Sequence, residues 1–109
     1  MGRADLYFAF LETVPGFKVD NLSKDSINFR AAEAQFENGN YQRAIDAFTD
    51  YIRRFPIGRN TLTAYYHRGE SYAVLRMYSQ AFADYEYVVS RGNSRYYLKA
   101  LEKAALIAY

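Results

Sequence analysis

The side chains able to carry out chemistry are thinly spread in this chain. There is one histidine, His67, and no cysteine. A nucleophilic mechanism needs a serine or threonine within hydrogen-bond reach of a base that a third group orients. His67 follows Tyr66 in a helical stretch with no acidic motif beside it, and reads as an ordinary histidine on a helix surface. Without cysteine there is no thiolate and no disulfide framework. The sequence contains no HExxH, no CxxC, no calcium-loop spacing and no glycine-rich phosphate loop, so no metal site is expected. Carboxylates stand singly on helix faces, not as a pair set for acid–base work. The expectation is a protein with no catalytic residue, no cofactor and no small-molecule substrate.

The basic residues form two small groups, Arg53, Arg54 and Arg59 near one loop and Arg91 and Arg95 near the next. With tyrosines beside them they could touch nucleic acid, but they also suit the negative ends of helices. The net charge of +2 does not favour nucleic acid, which is normally met by a clustered basic stripe. The 109 residues are half apolar or aromatic, with 12 Tyr, 8 Phe and no Trp, enough to bury one small core. The start, Met1-Gly2-Arg3-Ala4-Asp5, lacks the long apolar run of a secretory leader. No apolar stretch is long enough to span a membrane.

The elements that must position these residues are read from periodicity. Residues 4–12 predict a short helix with Leu6, Phe10 and Leu11 on one face, stopped at Val14-Pro15-Gly16. Residues 17–23 read as an extended linker. A helix over about 26–38 is expected, capped by Asp25 or Ser26 and ended at Asn38-Gly39-Asn40. A second, about 41–55, carries Ala44, Ile45, Phe48, Tyr51 and Ile52 on one face and stops at Pro56 and Gly58. Two more follow at about 60–75 and 78–91, then a turn at Gly92-Asn93-Ser94. A fifth runs from about 95 to the end without a stop signal.

Sliding the chain on itself reveals an internal repeat. At an offset of 37 residues Glu33 falls on Glu70, Tyr41 on Tyr78 and Ala44 on Ala81. Sizes agree elsewhere: Ala32 meets Gly69, Ile45 meets Phe82, Phe48 meets Tyr85 and Ile52 meets Val89. The small residues mark where the two helices of a hairpin cross closely, and the aromatics plug the space between hairpins. A single hairpin cannot bury its apolar face, so such hairpins stack.

The pattern Ala32, Gly39, Tyr41, Ala44, Phe48, Pro56, echoed by Tyr65, Gly69, Tyr72, Tyr78, Ala81, Tyr85, resembles the tetratricopeptide repeat. The second unit departs from it, with Arg76 in place of the turn glycine and no closing proline. A third unit starts with Leu101, Ala104, Ala105 and Ala108. The resemblance implies an all-α, right-handed stack of antiparallel helix hairpins over residues 24–109. Its parts would be hairpins at about 24–56 and 60–92 and the first helix of a further unit at 95–109, preceded by an N-terminal segment, 1–23. The period of about 37 and the link RRFPIGRNTLTAYYHRGESY also resemble bacterial cell-envelope repeat proteins of the outer-membrane assembly lipoprotein and periplasmic division-coordinator types.

What the resemblance implies for function is a non-catalytic protein-interaction scaffold, a fragment of a larger envelope protein in the periplasm or at the outer membrane. A cytosolic adaptor for a peptide or partner domain is the alternative, and a nucleic-acid-associated regulator a further one. First helices line the concave face of such arrays. This places Phe29, Arg30, Glu33 and Phe36 there, joined by Tyr66, His67 and Glu70 and then by Lys99 and Lys103. Phe29 and Tyr66 correspond and offer a pair of aromatic anchors. A chaperone-type carboxylate clamp is not expected, because Phe29 and Glu33 stand where it wants Lys and Asn. Leu101, Leu106 and Tyr109 would leave an apolar stripe at the open end of the stack, suited to self-association.

Overall fold

The computed structural model describes residues 21–92 and 94–108. They form five helices: α1 (Asn21–Glu37), α2 (Tyr41–Arg54), α3 (Thr61–Val74), α4 (Tyr78–Ser90) and α5 (Tyr97–Ala108). Each helix packs on the next, and α1 also touches α3. This is the all-α arrangement of an α-solenoid fragment, in which α1 with α2 and α3 with α4 make two hairpins and α5 extends the stack. There is no strand among the described residues. The helix expected at 4–12 and the linker up to residue 20 lie outside them, as does Tyr109.

The small residues sit where the repeat demands them. Ala32, Ala44, Ala64, Ala81 and Ala100 are fully buried. A methyl group added at Gly69 would lie 3.1 Å from Cε1 of Tyr85 and 3.2 Å from Cβ of Asp84, so α3 and α4 cross at a backbone. Two clusters fill the stack. Phe29, Phe48 and Tyr51 form the first with their alanines, and Tyr66, Tyr85 and Val88 the second with Ala100 and Ala104 of α5.

The helix ends show why the repeat survives the loss of its glycine. Gly39 has φ +79°; its N–H donates to Phe36 O at 3.1 Å, and that of Asn40 to Gln35 O at 2.9 Å. This paired closure needs one left-handed residue just past the helix. Arg76, one offset of 37 along the chain, has φ +61° and makes the same pair: Arg76 N–H to Ala73 O at 3.0 Å and Met77 N–H to Tyr72 O at 2.8 Å. An L residue with a Cβ is strained there. Arg76→Gly is therefore expected to stabilise the domain by about 0.5–1 kcal/mol, the relief exceeding the entropy glycine adds to the unfolded chain. A higher thermal midpoint checks it.

One expectation at the start of the stack is corrected. Residues 21–23 are helical rather than linker, and Asp25 is no cap. It lies in the second turn of α1, buried, and its carboxylate accepts three hydrogen bonds. They come from Tyr51 Oη at 2.5 Å, the Arg59 backbone N–H at 2.8 Å and Asn60 Nδ2 at 2.9 Å. Tyr51 Oη in turn accepts the Asn60 N–H at 3.0 Å. Asn60 stands at the N-terminus of α3 yet makes no side-chain cap, because its amide is held by Asp25. The loop between the hairpins is thus tied to the first helix. Gly58 lets it approach: a Cβ there would fall 2.8 Å from Phe55 Cβ and 2.9 Å from Tyr51 Oη, and closer still to Asp25.

Candidate functional site

The faces of α1, α3 and α5 border two open cavities. The first, about 450 Å³, is lined by Phe29, Arg30 and Glu33 of α1, Thr63 of α3, and Arg59, Arg95 and Tyr96 among loop residues. The second, about 560 Å³, is lined by Phe36, Tyr66, His67 and Glu70, with Tyr96, Lys99, Lys103 and Leu106 closing it from the α5 side. Tyr96 borders both, so the two cavities adjoin along this face and are described together as a groove. All nine residues assigned to the concave face from sequence line it. Leu106 of the open-end set also does, whereas Leu101 is exposed outside it.

Lining is not the same as reach. Phe29 and Tyr66 are only 7% and 6% exposed, and the reading of them as a pair of free anchors is corrected. The Phe29 ring packs against Phe48 and Tyr51, at centroid distances of 6.0 and 5.7 Å. Tyr66 stacks on Tyr96 at 4.6 Å and lies 6.0 Å from Tyr85. Both helix faces turn these rings inward because the stack needs large residues between hairpins. The half-buried rings that border the opening are Phe36, His67 and Tyr96. Tyr96 was not legible as a site residue: it lies in a turn before α5, where no helical period marks a face.

His67 is likewise not an ordinary surface histidine. Its ring lies flat on Phe36, 4.7 Å away and 6° from parallel, with Phe29, Phe48, Tyr66 and Tyr96 within 6.4 Å. Its Nδ1 is buried without a hydrogen-bond partner. Burial holds its pKa below the ordinary value, against the opposing pull of Glu33, Glu70 and Glu37. A folded-state pKa below the unfolded one means the unfolded chain binds the proton more readily. Stability is then fully present above pH about 6.5 and falls as the pH drops through the folded-state pKa. Urea midpoints of the protein and of His67→Phe are expected to run parallel above pH 7. Below pH 6.5 the native protein should lose more stability than the variant.

The charges on the groove floor are organised. Glu70 Oε1 accepts from Tyr85 Oη at 2.6 Å and from Lys103 Nζ at 2.5 Å, bridging α3, α4 and α5. Burial, reinforced by Glu70, pushes the Tyr85 phenol far up, so it stays a donor at any working pH. Burial opposes the charge on Lys103, but the Glu70 contact outweighs it and raises its pKa. Outside the groove Arg68 makes a two-pronged pair with buried Asp84, at 2.8 and 2.7 Å. It also lies over the rings of Tyr65 and Tyr72.

The two basic groups read from sequence are redistributed. Arg53 and Arg54 both pair with Asp50, and Arg91 lies over Tyr87. Arg59 and Arg95 instead meet Arg30 around the first cavity. Among the described residues no group of three or more His, Asp and Glu is gathered as for a metal ion, and no helix is long and apolar enough to cross a membrane. Searches of curated proteins and of solved structures give no match. Residues 27–56, which cover most of the first hairpin up to its closing proline, match the family model of the tetratricopeptide repeat, which with the helical stack supports a tetratricopeptide-repeat protein.

Proposed function

We propose that this chain is a non-catalytic interaction module that holds a segment of a partner protein in the groove along α1, α3 and α5. The observation that carries the reading is convergence. Three segments far apart in sequence bring Phe36, His67, Tyr96 and Lys99 to one opening bordered by half-buried rings and charged side chains. Aromatic residues around an open depression supply large contact area at low entropy cost, as interface hot spots do. The repeat match supports a protein partner.

The test is recovery of partners from a lysate of the source cells by the full-length protein. Phe36→Ala with Lys99→Glu is expected to reduce recovery at least tenfold, while Arg43→Glu on the exposed side of α2 leaves it unchanged. Equal recovery by all three would overturn the groove reading. A bacterial cell-envelope setting rests on the 37-residue period and the link between the hairpins, with a cytosolic adaptor as the second reading. Fractionation of the full-length protein separates them.

A further inference from the structure

The groove has two chemically different ends. Around the first cavity stand three guanidinium side chains, Arg30, Arg59 and Arg95, against one carboxylate, Glu33. All three arginines are exposed, and none forms an ion pair among the described residues. They come from α1, from the loop between the hairpins and from the turn before α5. The loop is held in place by the Asp25 network, through the Arg59 N–H itself. Around the second cavity the charges balance: Lys99 and Lys103 face Glu70 and Glu102, and Lys103 is already engaged by Glu70. Phe36, His67 and Tyr96 make that end the apolar one.

From this polarity, and resting on the groove reading above, we propose that the groove takes an extended peptide segment bearing an acidic side chain and an apolar one about three residues apart. The acidic side chain sits among Arg30, Arg59 and Arg95, where guanidinium groups can grip a carboxylate in a fork. The apolar or aromatic side chain enters beside Phe36, His67 and Tyr96. The spacing follows from the helices. The two cavities are offset by about six residues along α1, roughly 9 Å at 1.5 Å per residue. An extended chain covers that distance in about three residues.

A single carboxylate matches the geometry better than a polyanion does. Glu33, Glu70 and Glu102 line the same groove and would repel a chain of phosphates, whereas one acidic residue meets only the arginine end. The acid is a side chain within the segment rather than a chain terminus, because both cavities are open and the ligand can pass beyond the arginines.

The test is selection from a displayed library of random twelve-residue peptides against the whole protein. Selected peptides are then synthesised with amidated ends and measured by fluorescence anisotropy. The expected result is enrichment of Asp or Glu about three positions from Phe, Tyr, Trp or Leu. Affinity should fall at least tenfold for Arg30→Gln with Arg95→Gln, and equally when the peptide's acid becomes its amide. These arginines are exposed, so unchanged circular dichroism and melting will show that the variant folds. Selected peptides with no acidic preference would overturn this proposal and leave the groove reading standing. Binding only with a free carboxyl terminus, or tighter binding of a single-stranded oligonucleotide competing for the same arginines, would also overturn it. No selected peptide at all would overturn both.

Discussion

Asp25→Ala is expected to destabilise the domain by about 3–5 kcal/mol, because three donors lose one shared buried acceptor. The carboxylate is buried and serves three donors on two later segments: Tyr51 Oη, the Arg59 N–H and the Asn60 amide. Alanine leaves all three facing a void, at about 1–3 kcal/mol for each buried group left unsatisfied. The hydroxyl of Tyr51 feels the change most. Burial, then its bond to Asp25, holds its pKa far above the ordinary phenol value, so in the native protein it stays a donor. Asp25→Asn keeps the shape but turns a donor toward donors, and should recover less than half of the loss. Urea unfolding measures both. Because stacked hairpins open in parts, hydrogen exchange should rise first in the loop over residues 55–60.

The second large effect is at Tyr85. Tyr85→Ala should cost about 3–5 kcal/mol, the usual price of truncating a buried aromatic. The ring is 1% exposed, touches the bare backbone of Gly69, and fills the space that Phe48 fills one repeat earlier. Against a total stability of about 5–15 kcal/mol for a small domain, this leaves little. Tyr85→Phe separates packing from polarity. It keeps the ring and removes only the donor to Glu70, which retains Lys103, so the expected loss is about 1 kcal/mol. A Tyr85→Phe loss as large as that of alanine would place the stabilisation in the hydrogen bond instead of the ring.

What could be read from the sequence was whatever repeats locally. Gly39, Pro56, Gly58 and Gly92 mark helix ends through backbone preference, and the pairs Ala32/Gly69 and Ala44/Ala81 mark crossings through size alone. The five helices and the hairpin stack follow from these. What escaped depends on contacts between distant residues. Asp25 looks like a cap because Asp is a good cap; its actual partners lie 26 to 35 residues away. His67 looks solvent-exposed because nothing in its neighbourhood announces Phe36. Arg59 and Arg95 belonged to separate groups in the sequence, and only the packing of the helices brings them to one cavity with Arg30. Aromatic size could not by itself tell an anchor from a plug: Phe29 and Tyr66 turned inward, whereas Phe36 and the unflagged Tyr96 border the opening.

Leu98, Leu101 and Leu106 stay exposed on α5, 75%, 44% and 72% respectively. Leu106 lines the groove beside Lys103, while Leu98 and Leu101 are not among its lining residues. Of the open-end stripe expected from sequence, Leu106 lines the groove, Leu101 does not, and Tyr109 lies outside the described residues.

Amide chemical-shift mapping shows whether a bound segment lies in the groove along α1, α3 and α5. On titration of the isotope-labelled protein with a selected peptide or its cellular partner, the largest shifts are expected at Arg30, Phe36, His67, Tyr96 and Lys99. Exposed positions of α2 and α4 such as Arg43 and Glu86 should stay still. Shifts concentrated on α2 and α4, with the α1, α3 and α5 signals unmoved, would contradict that placement.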